Sequence, residues 1–343
     1  MYINADKVNL LHIEPTTRCN ASCPGCPRNN NGFGVREDLI IGDVDPNIII
    51  DTANQFPYLK VIHLCGNLGD PIAYKHLNVL IDMVVKQNKY FWKLYEFYHG
   101  RKVTGDDFSG FDDYWSVHIA TNGSLRTVKW WQELGRNCNK NLYRLHKIIF
   151  GIDGLKDTNH IYRQATNFNK IIDNAKAFID NGGLAEWQFL VFKHNEHQVD
   201  EARQLSESIG FKKFYTKQPW FTKAYHWKTG ERYYLEPGII FSDVQRPNDM
   251  YTENQILYPS TEDLDTDNTC VENGNCMHLD VHKDNSNSRS MFMSIDGKVM
   301  PCCHWSNNFT YKEEYDIETL DINKEFSNNN YRLTCRAICG SIK

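Results

Sequence analysis

The chain contains 343 residues, of which 41% are hydrophobic, and it carries a formal net charge of −5 at pH 7. A chain of this length buries one large core or two unequal ones, and its mildly acidic balance provides no basic surface for a nucleic-acid partner. The first residues, MYINADKVNL, lack the apolar core of a secretory signal, and no run of about 18 apolar residues could span a membrane. We therefore expect a cytoplasmic protein without a membrane partner.

Strand-like and helix-like segments alternate along the first two thirds of the chain. Short apolar segments predict strands at 8–13, 59–65, 116–120, 147–152, 187–192 and 212–216. Helix signals predict one helix that begins at Asp45-Pro46 and others at 74–87, 158–181 and 196–209. Successive βα units form a parallel sheet covered by helices, so the predicted fold class is α/β, an open, partial (β/α)6 TIM-like barrel. The aromatic-rich segment 88–115 is predicted as an insertion that packs on the barrel surface.

The 11 cysteines are unevenly distributed along the chain. Three lie close together at Cys19, Cys23 and Cys26, and six lie between residues 270 and 339. Clustered cysteines in a reducing compartment are metal ligands more often than disulfides, whereas the isolated Cys65 and Cys138 are predicted as core residues. The βα pattern ends near residue 217, which predicts a barrel at 1–216, a bridging segment at 217–264 and a small cysteine-rich C-terminal domain at 265–343.

The first cysteine group has the spacing C-x3-C-x2-C and directly follows the first predicted strand. Three thiolates in one short loop suit one face of a [4Fe–4S] cluster, which normally takes four cysteines. The fourth iron is then open, so a substrate or cofactor can bind it directly. The alternative is a zinc knuckle completed by a fourth ligand elsewhere, although zinc loops usually pair C-x2-C units.

This triplet, placed after a first barrel strand, resembles the signature of the radical S-adenosylmethionine (SAM) superfamily. The resemblance implies that Cys19, Cys23 and Cys26 are metal ligands and that SAM binds the open iron through its amino and carboxylate groups. The chain departs from the family at Gly25, where an aromatic residue often packs against the adenine. The departure leaves the cluster ligands unchanged, and the resemblance covers roughly residues 8–216.

Further loops resemble the family's SAM-binding motifs and follow the predicted strands in the family's order. Segment 66–71 is similar to the Gly-Gly-Glu-Pro loop, segment 121–123 to the TNG turn and segment 151–155 to the SIDG motif. Functional groups of parallel α/β barrels gather at the carboxyl ends of the strands, which is where these motifs lie. The resemblance implies a further contact from the next helix, where an arginine pairs with the SAM carboxylate, and one after the fifth strand. The candidate SAM-binding residues are Gly69, Asp70, Thr121, Asn122, Asp153, Arg163 and Asn195.

The second cysteine group resembles the SPASM/Twitch extension, which carries auxiliary Fe–S clusters. A hairpin with a D-G turn is predicted at 293–303 and leads into two of the cysteines. Six cysteines are enough for one complete cluster, so a second, auxiliary [4Fe–4S] cluster is expected. The chosen ligands are Cys276, Cys302, Cys335 and Cys339, with Cys270 or Cys303 as an alternative ligand. A zinc site of four thiolates remains the alternative, because both metals accept tetrahedral sulfur ligation.

The resemblance implies a radical SAM enzyme of oxidoreductase character. SAM would be cleaved reductively to a 5′-deoxyadenosyl radical, which abstracts a hydrogen atom from an unidentified peptide or small-molecule substrate. An external one-electron donor such as flavodoxin or ferredoxin is implied as a partner. Only 18 residues precede Cys19, which favours a substrate that needs no leader-peptide domain. The alternatives are an Fe–S electron carrier and a zinc-binding structural protein, neither of which cleaves SAM.

Overall fold

The computed structural model describes residues 8–29, 34–99, 115–140, 146–219, 223–239, 289–295 and 299–300. Its strands are β1 (Val8–Ile13), β2 (Val61–Leu64), β3 (Ser116–Thr121), β4 (Lys147–Gly151), β5 (Leu184–Leu190), β6 (Lys213–Lys217), β7 (Lys223–Tyr225), β8 (Arg232–Tyr234), β9 (Arg289–Met293) and β10 (Val299–Met300). Its α-helices are α1 (Pro46–Asn54), α2 (Leu77–His99), α3 (Val128–Lys140), α4 (Asn159–Tyr162), α5 (Phe168–Asp180) and α6 (Val199–Ile209). Within these ranges, none of the helices combines the length and apolar character needed to cross a lipid bilayer.

The main sheet has the strand order β10-β9-β1-β2-β3-β4-β5-β6. Strands β1 to β6 run parallel, each hydrogen-bonded to the next, and helices lie between successive strands. This is the arrangement that repeated βα units produce, and it confirms the predicted α/β class with a partial TIM-like barrel. All six predicted strands are present, with ends shifted by up to three residues.

Strand β9 adds a seventh parallel strand, paired with β1 on the side opposite β2. Strand β10 returns antiparallel to β9, with Val299 opposite Met293. The sequence predicted this hairpin but placed it in the C-terminal domain at 265–343. The rest of that range lies outside the described residues, so the three-part division of the chain stays a prediction.

The helices follow local sequence signals, with two departures. Helix α1 begins as predicted, because the Asp45 side chain accepts a hydrogen bond from the Asn47 N–H and Pro46 occupies the first turn. The single helix predicted at 158–181 is interrupted between α4 and α5, where Ala165 adopts a φ of 61°. Helix α2 extends to His99, so the first part of the predicted aromatic insertion continues this helix.

The two faces of the sheet differ in polarity. Apolar residues on the outer face pack under the helices in one hydrophobic core, represented by Leu11, Ile62, Val117, Phe150 and Trp187. The alternate residues face the inside of the curved sheet, because successive side chains of a strand point to opposite faces. Much of this inner face is polar, including His12, His63, His118, Lys147 and Glu186.

Candidate functional site

The cysteine loop follows β1 at the carboxyl edge of the sheet, and each thiol contacts a different part of the chain. Cys19 Sγ accepts hydrogen bonds from the Ala21 N–H at 3.3 Å and from Asn122 Nδ2 at 3.8 Å. The Cys26 thiol lies 3.6 Å from the Asn67 carbonyl oxygen, in the loop after β2. Cys23 is buried in a small apolar cluster with Ala21, Tyr162, Phe192, Ala224 and Leu235. The loop is therefore held by the segments that follow β2, β3 and β5.

The three thiols share one buried environment. Burial raises the pKa of Cys19 and of Cys23 to about 12 and that of Cys26 to about 11. Each thiolate also raises the pKa of another member of the group. Cys19 and Cys26 pack against the apolar cluster that contains Cys23. The guanidinium groups of Arg28 and Arg163 act in the opposite direction and lower these pKa values. Three neighbouring thiols with cationic residues beside them suit a metal centre that binds cysteines as thiolates.

The donor set fits an iron–sulfur cluster better than a single ion. Among the described residues, no three His, Cys, Asp or Glu side chains converge in the way that one metal ion requires. A [4Fe–4S] cluster makes a different demand, because each of three cysteines binds a different iron. All five described cysteines are free thiols, and Cys19, Cys23 and Cys26 share one apolar cluster. Cys138 is buried in the hydrophobic core, as expected. Cys65 is also buried, but it directly follows β2 beside the site, where its Sγ lies 3.2 Å from the Ile13 carbonyl oxygen and accepts a hydrogen bond from Asn67 Nδ2 at 3.5 Å.

Glu14, which the sequence analysis passed over, anchors the loop after β2. Its side chain is fully buried, and its two carboxylate oxygens accept hydrogen bonds from the Asn67 and Gly69 N–H groups, both at 3.1 Å. A Cβ built on Gly69 would overlap the carbonyl of Thr16, so the predicted SAM residue Gly69 permits close packing against the start of the cysteine loop. The only sequence signal for Glu14 is a carboxylate at the end of an apolar strand.

Asp70 joins the loop after β2 to the loop after β3. Its carboxylate accepts hydrogen bonds from Thr121 Oγ1 at 2.9 and 3.0 Å, from the Asn122 N–H at 2.9 Å and from the Ile72 N–H at 2.9 Å. Burial raises the pKa of Asp70, and these hydrogen bonds oppose the rise. The predicted SAM residues Asp70, Thr121 and Asn122 thus lie together, with the carboxylate bracing the two loops.

Asn122 continues this network into the cysteine loop. Its Nδ2 donates to Asn20 Oδ1 at 3.0 Å, and Asn20 Nδ2 donates to Ser124 Oγ at 2.6 Å. The turn itself needs Gly123, whose φ of 74° lies in the left-handed region. The TNG segment therefore fixes the position of Cys19 as well as lining the same edge of the sheet.

Asp153 and Arg163 form a buried ion pair beside Cys23. Arg163 Nε donates to Asp153 Oδ2 at 2.6 Å, and the other carboxylate oxygen accepts from the Leu190 N–H at 2.6 Å. The side chain of Arg163 is 16% exposed and that of Asp153 is fully buried. The positive charge of Arg163 lowers the pKa of Cys23 and so opposes the effect of burial on this thiol. The break between α4 and α5 puts Arg163 at the end of α4, from which it reaches back to Asp153.

Asn195 lies at the same end of the sheet, but its amide bonds to the backbone. Its Nδ2 donates to the carbonyl oxygens of Asp153 at 2.9 Å and Leu190 at 3.0 Å, and its Oδ1 accepts from the Phe192 N–H at 2.7 Å. The residue is completely buried. Asn195 therefore shapes the turn after β5, and its predicted contact with a cofactor stays a prediction.

The hairpin β7–β8 covers the cysteine loop on the side of α4. Gln164 connects the two, since its carbonyl oxygen accepts from the Ser22 N–H and its side chain bonds the Trp227 N–H and the Tyr233 hydroxyl. Ala224 and Leu235 complete the apolar cluster around Cys23. The sequence analysis assigned this hairpin only to a bridging segment, because its role depends on contacts between distant residues.

The chosen ligands of the auxiliary site, Cys276, Cys302, Cys335 and Cys339, lie outside the described residues, as do Cys270 and Cys303. The prediction of a second cluster therefore rests on the sequence.

No protein-family model matches the chain, and no curated protein matches its sequence. Solved structures of SuiB from Streptococcus suis do match. SuiB bound to the precursor peptide SuiA has a TM-score of 0.58 and 14% identity over 97% of this chain and 70% of that chain. SuiB bound to S-adenosylmethionine has a TM-score of 0.55 and 12% identity over 93% of this chain and 65% of that chain, so this chain spans less than two thirds of that one.

The likeness to SuiB covers the α/β barrel of this chain, whose main sheet has seven parallel strands. At 12–14% identity the likeness concerns the fold. This chain therefore has the fold of SuiB, which has been solved with S-adenosylmethionine bound.

Proposed function

We propose that this protein is a radical SAM enzyme in which Cys19, Cys23 and Cys26 hold a [4Fe–4S] cluster that cleaves SAM reductively. The observation that carries the proposal is the convergence of the three-thiol loop with the loops after β2, β3 and β4 at one edge of a radical SAM fold. Hydrogen bonds from Asn122 to Cys19 and from Cys26 to Asn67 tie these segments together, and the charge of Arg163 lowers the pKa of Cys23.

The residues of the chain have distinct roles in this proposal. Cys19, Cys23 and Cys26 are the cluster ligands, and the loops that contain Gly69, Asp70, Thr121 and Asn122 line the place for SAM. Asp70 and Glu14 orient those loops through backbone amides. Arg163 supplies a buried positive charge that suits the SAM carboxylate, and Asp153 holds its guanidinium in place. Asn195 supports the edge of the site from behind.

Exclusion of water is the second contribution of the chain. A bound, reduced [4Fe–4S] cluster supplies the electron that cleaves SAM to methionine and a 5′-deoxyadenosyl radical, which then takes a hydrogen atom from the substrate. So reactive a radical requires a sheltered site. The hairpin β7–β8 and the apolar cluster around Cys23 provide that shelter on one side.

The remaining parts of the proposal concern partners and location. An auxiliary [4Fe–4S] cluster on Cys276, Cys302, Cys335 and Cys339 would accept an electron from the substrate radical or anchor the substrate. Flavodoxin or ferredoxin would reduce the cluster that cleaves SAM. Because SuiB has been solved with a precursor peptide, a peptide is the first substrate class to test, followed by small molecules. Free thiols at the site require a reducing compartment, which supports a cytoplasmic location.

The test is anaerobic reconstitution of the full chain, followed by measurement of iron, sulfide and zinc and an assay for 5′-deoxyadenosine with dithionite and SAM. We expect about eight irons per chain, since each [4Fe–4S] cluster holds four. Cys23→Ala should abolish 5′-deoxyadenosine formation. Cys138→Ala is the matched control, because this buried thiol lies in the hydrophobic core and its loss should leave the cluster intact.

Three outcomes contradict the proposal. Zinc in place of iron would indicate a structural metal protein, and iron without SAM cleavage would indicate an electron carrier. Equal 5′-deoxyadenosine formation by the Cys23→Ala variant and the native protein would show that the first cysteine group does not hold the reactive cluster.

A further inference from the structure

Three histidines form a row on the inner face of the sheet, below the cysteine loop. His12 on β1, His63 on β2 and His118 on β3 occupy paired register positions, so their side chains lie side by side. The rings of His12 and His63 stack with centroids 5.1 Å apart, and His118 meets His63 edge-on at 6.2 Å. A hydrophobic barrel lining would be the ordinary filling at these positions. The polar row needs another explanation.

Cationic residues of the later strands continue this inner layer. Lys147 on β4 pairs in register with His118, and its Nζ bonds Glu186 Oε1 at 2.9 Å. On β6, the Nζ atoms of Lys213 and Lys217 each lie 5.8 Å from the ring centre of Tyr215. The positive charges of Lys217 and Lys147 both reach His63 and help to lower its pKa, which is already lowered by burial. Cations and neutral hydrogen-bonding rings therefore outnumber carboxylates in this layer.

The layer lies directly beneath the loops assigned to SAM. His12 precedes Glu14 by two residues, so both face the inside, about 7 Å apart along the strand. Glu14 in turn holds the loop after β2. Lys217 pairs in register with Leu190, whose N–H bonds Asp153. A group bound among these side chains would therefore be adjacent to the proposed SAM site.

His63 has a buried atom that requires a partner. The residue is 8% exposed, and its Nδ1 is buried without a hydrogen bond from any described residue. Buried polar atoms of native proteins are nearly always satisfied, by protein or by a bound molecule. The layer is not sealed throughout, since the side chains of Lys147 and Glu186 are 24% and 14% exposed.

We propose that this inner layer, which we name the histidine–lysine layer (His12, His63, His118, Lys147 and Lys217), binds an anionic oxygen group of the substrate, a carboxylate or a phosphate. Lysine ammonium groups supply the charge and the His63 ring supplies a hydrogen bond. This inference rests on the proposed function, because it names the substrate class of that site. The substrate is then an acidic molecule whose anionic group points into the barrel and whose reacting carbon faces the SAM loops.

The test measures anion binding to the reconstituted full chain by isothermal titration calorimetry, at constant ionic strength adjusted with chloride. The probes are inorganic phosphate and succinate, which separate phosphate from carboxylate recognition. We expect binding of at least one probe to the native protein and at least about tenfold weaker binding by Lys217→Met, because removal of one partner of a buried charge contact weakens binding strongly. Lys212→Met, which removes an exposed lysine next to β6, is the matched control and should bind as the native protein does.

His63→Leu is the second variant, in case Lys217→Met does not fold. It should weaken binding of the same probe, because the hydrogen bond is lost while an apolar residue fills the buried space. Failure of the native protein to bind either probe would overturn the inference, and so would equal binding by the native protein and both variants. The assay does not depend on SAM cleavage. Formation of 5′-deoxyadenosine without anion binding would refute this inference alone, whereas anion binding without SAM cleavage would refute the proposed function.

Discussion

Glu14 shows how one buried carboxylate organises two segments of the site. It hydrogen-bonds two amides of the loop after β2, while its own backbone N–H bonds the Met293 carbonyl oxygen of β9 at 3.0 Å. The residue thus connects β1 and β9 to the loop after β2. Removal of a buried charged hydrogen-bond partner is among the costly changes in a protein interior.

The first prediction concerns Glu14→Gln. The amide can accept one of the two loop N–H bonds, but its NH2 group faces the other donor. We expect the free energy of unfolding to fall by about 1–3 kcal/mol and SAM affinity to fall with it. Chemical denaturation and equilibrium dialysis with SAM measure the two effects. Glu37→Gln, at an exposed position, is the control and should change neither. An unchanged SAM affinity in Glu14→Gln would show that the loop does not depend on this carboxylate.

Gly69 packs against the cysteine loop more closely than any other residue could. A Cβ at this position would lie 2.7 Å from the Thr16 carbonyl carbon and 2.9 Å from Thr17 Cα, and these backbone atoms cannot move aside without shifting the loop. Gly42 makes a useful comparison, since a Cβ there meets nothing within 4 Å.

The second prediction follows from this difference. Gly69→Ala should lower the free energy of unfolding by about 1–3 kcal/mol, because overpacking against backbone forces a rearrangement. Gly42→Ala should stay within about 0.5 kcal/mol of the native protein. Urea denaturation of the two variants provides the comparison. Similar stabilities would mean that the loops after β1 and β2 are not packed as described.

Strand β6 carries a lysine of the inner layer whose pKa is lowered. Burial lowers the pKa of Lys217 from 10.5 to about 8. The unfolded chain therefore binds the proton more tightly than the folded chain does between these values. The folded state gains stability as the pH rises from about 8 towards 10.5, and below about pH 8 the contribution is constant.

The third prediction is that the difference in unfolding free energy between the native protein and Lys217→Met changes over this pH range. Tyrosines also titrate there, but their contributions are common to both proteins and cancel in the difference. Relative to the native protein, we expect Lys217→Met to have its largest gain in unfolding free energy near pH 8, and this gain should shrink as the pH increases. Thermal unfolding at several pH values measures the trend. A constant difference would show that Lys217 keeps an ordinary pKa.

Helix and strand positions were largely predictable, because they depend on signals within a few residues. The Asp45-Pro46 start of α1 and the apolar alternation of β1 to β6 were read correctly from neighbouring residues. The break between α4 and α5 was missed. It depends on Arg163, which pairs with Asp153 ten residues earlier, and on the left-handed conformation of Ala165. A helical pattern contains no signal for such a tertiary contact.

In the complete sheet, β9 covers the edge of β1 that does not pair with β2. Ser290, Met291, Phe292 and Met293 pair with successive residues of β1, which makes β1 an internal strand. Without β9, the hydrogen-bonding groups of β1 on that side would be exposed, and exposed edges promote association between molecules.

The fourth prediction compares two truncated chains. A chain that ends after residue 264 lacks β9 and should aggregate, because the edge of β1 is uncovered. A chain that ends after residue 304 keeps β9 and β10 and should remain monomeric, although it lacks part of the predicted auxiliary site. Size-exclusion chromatography of the two chains distinguishes these outcomes. A monomeric, folded 1–264 chain would show that β9 is not required to complete the barrel.

The amino-acid sequence was sufficient to predict the alternating strands, the α/β class and the three-cysteine loop after β1, because each depends on short-range spacing. It also predicted one common edge of the sheet for five candidate site residues, since parallel strands end together: Asp70, Thr121, Asn122, Asp153 and Arg163. The tertiary structure decided what these side chains bond to: Asp70 braces two loops, Arg163 lies against Cys23, and Asn195 supports the backbone. It also decided that β9 joins β1 and that His12, His63 and His118 form one row. These contacts join residues far apart in the chain, and their geometry is set by packing and hydrogen bonding across the whole barrel.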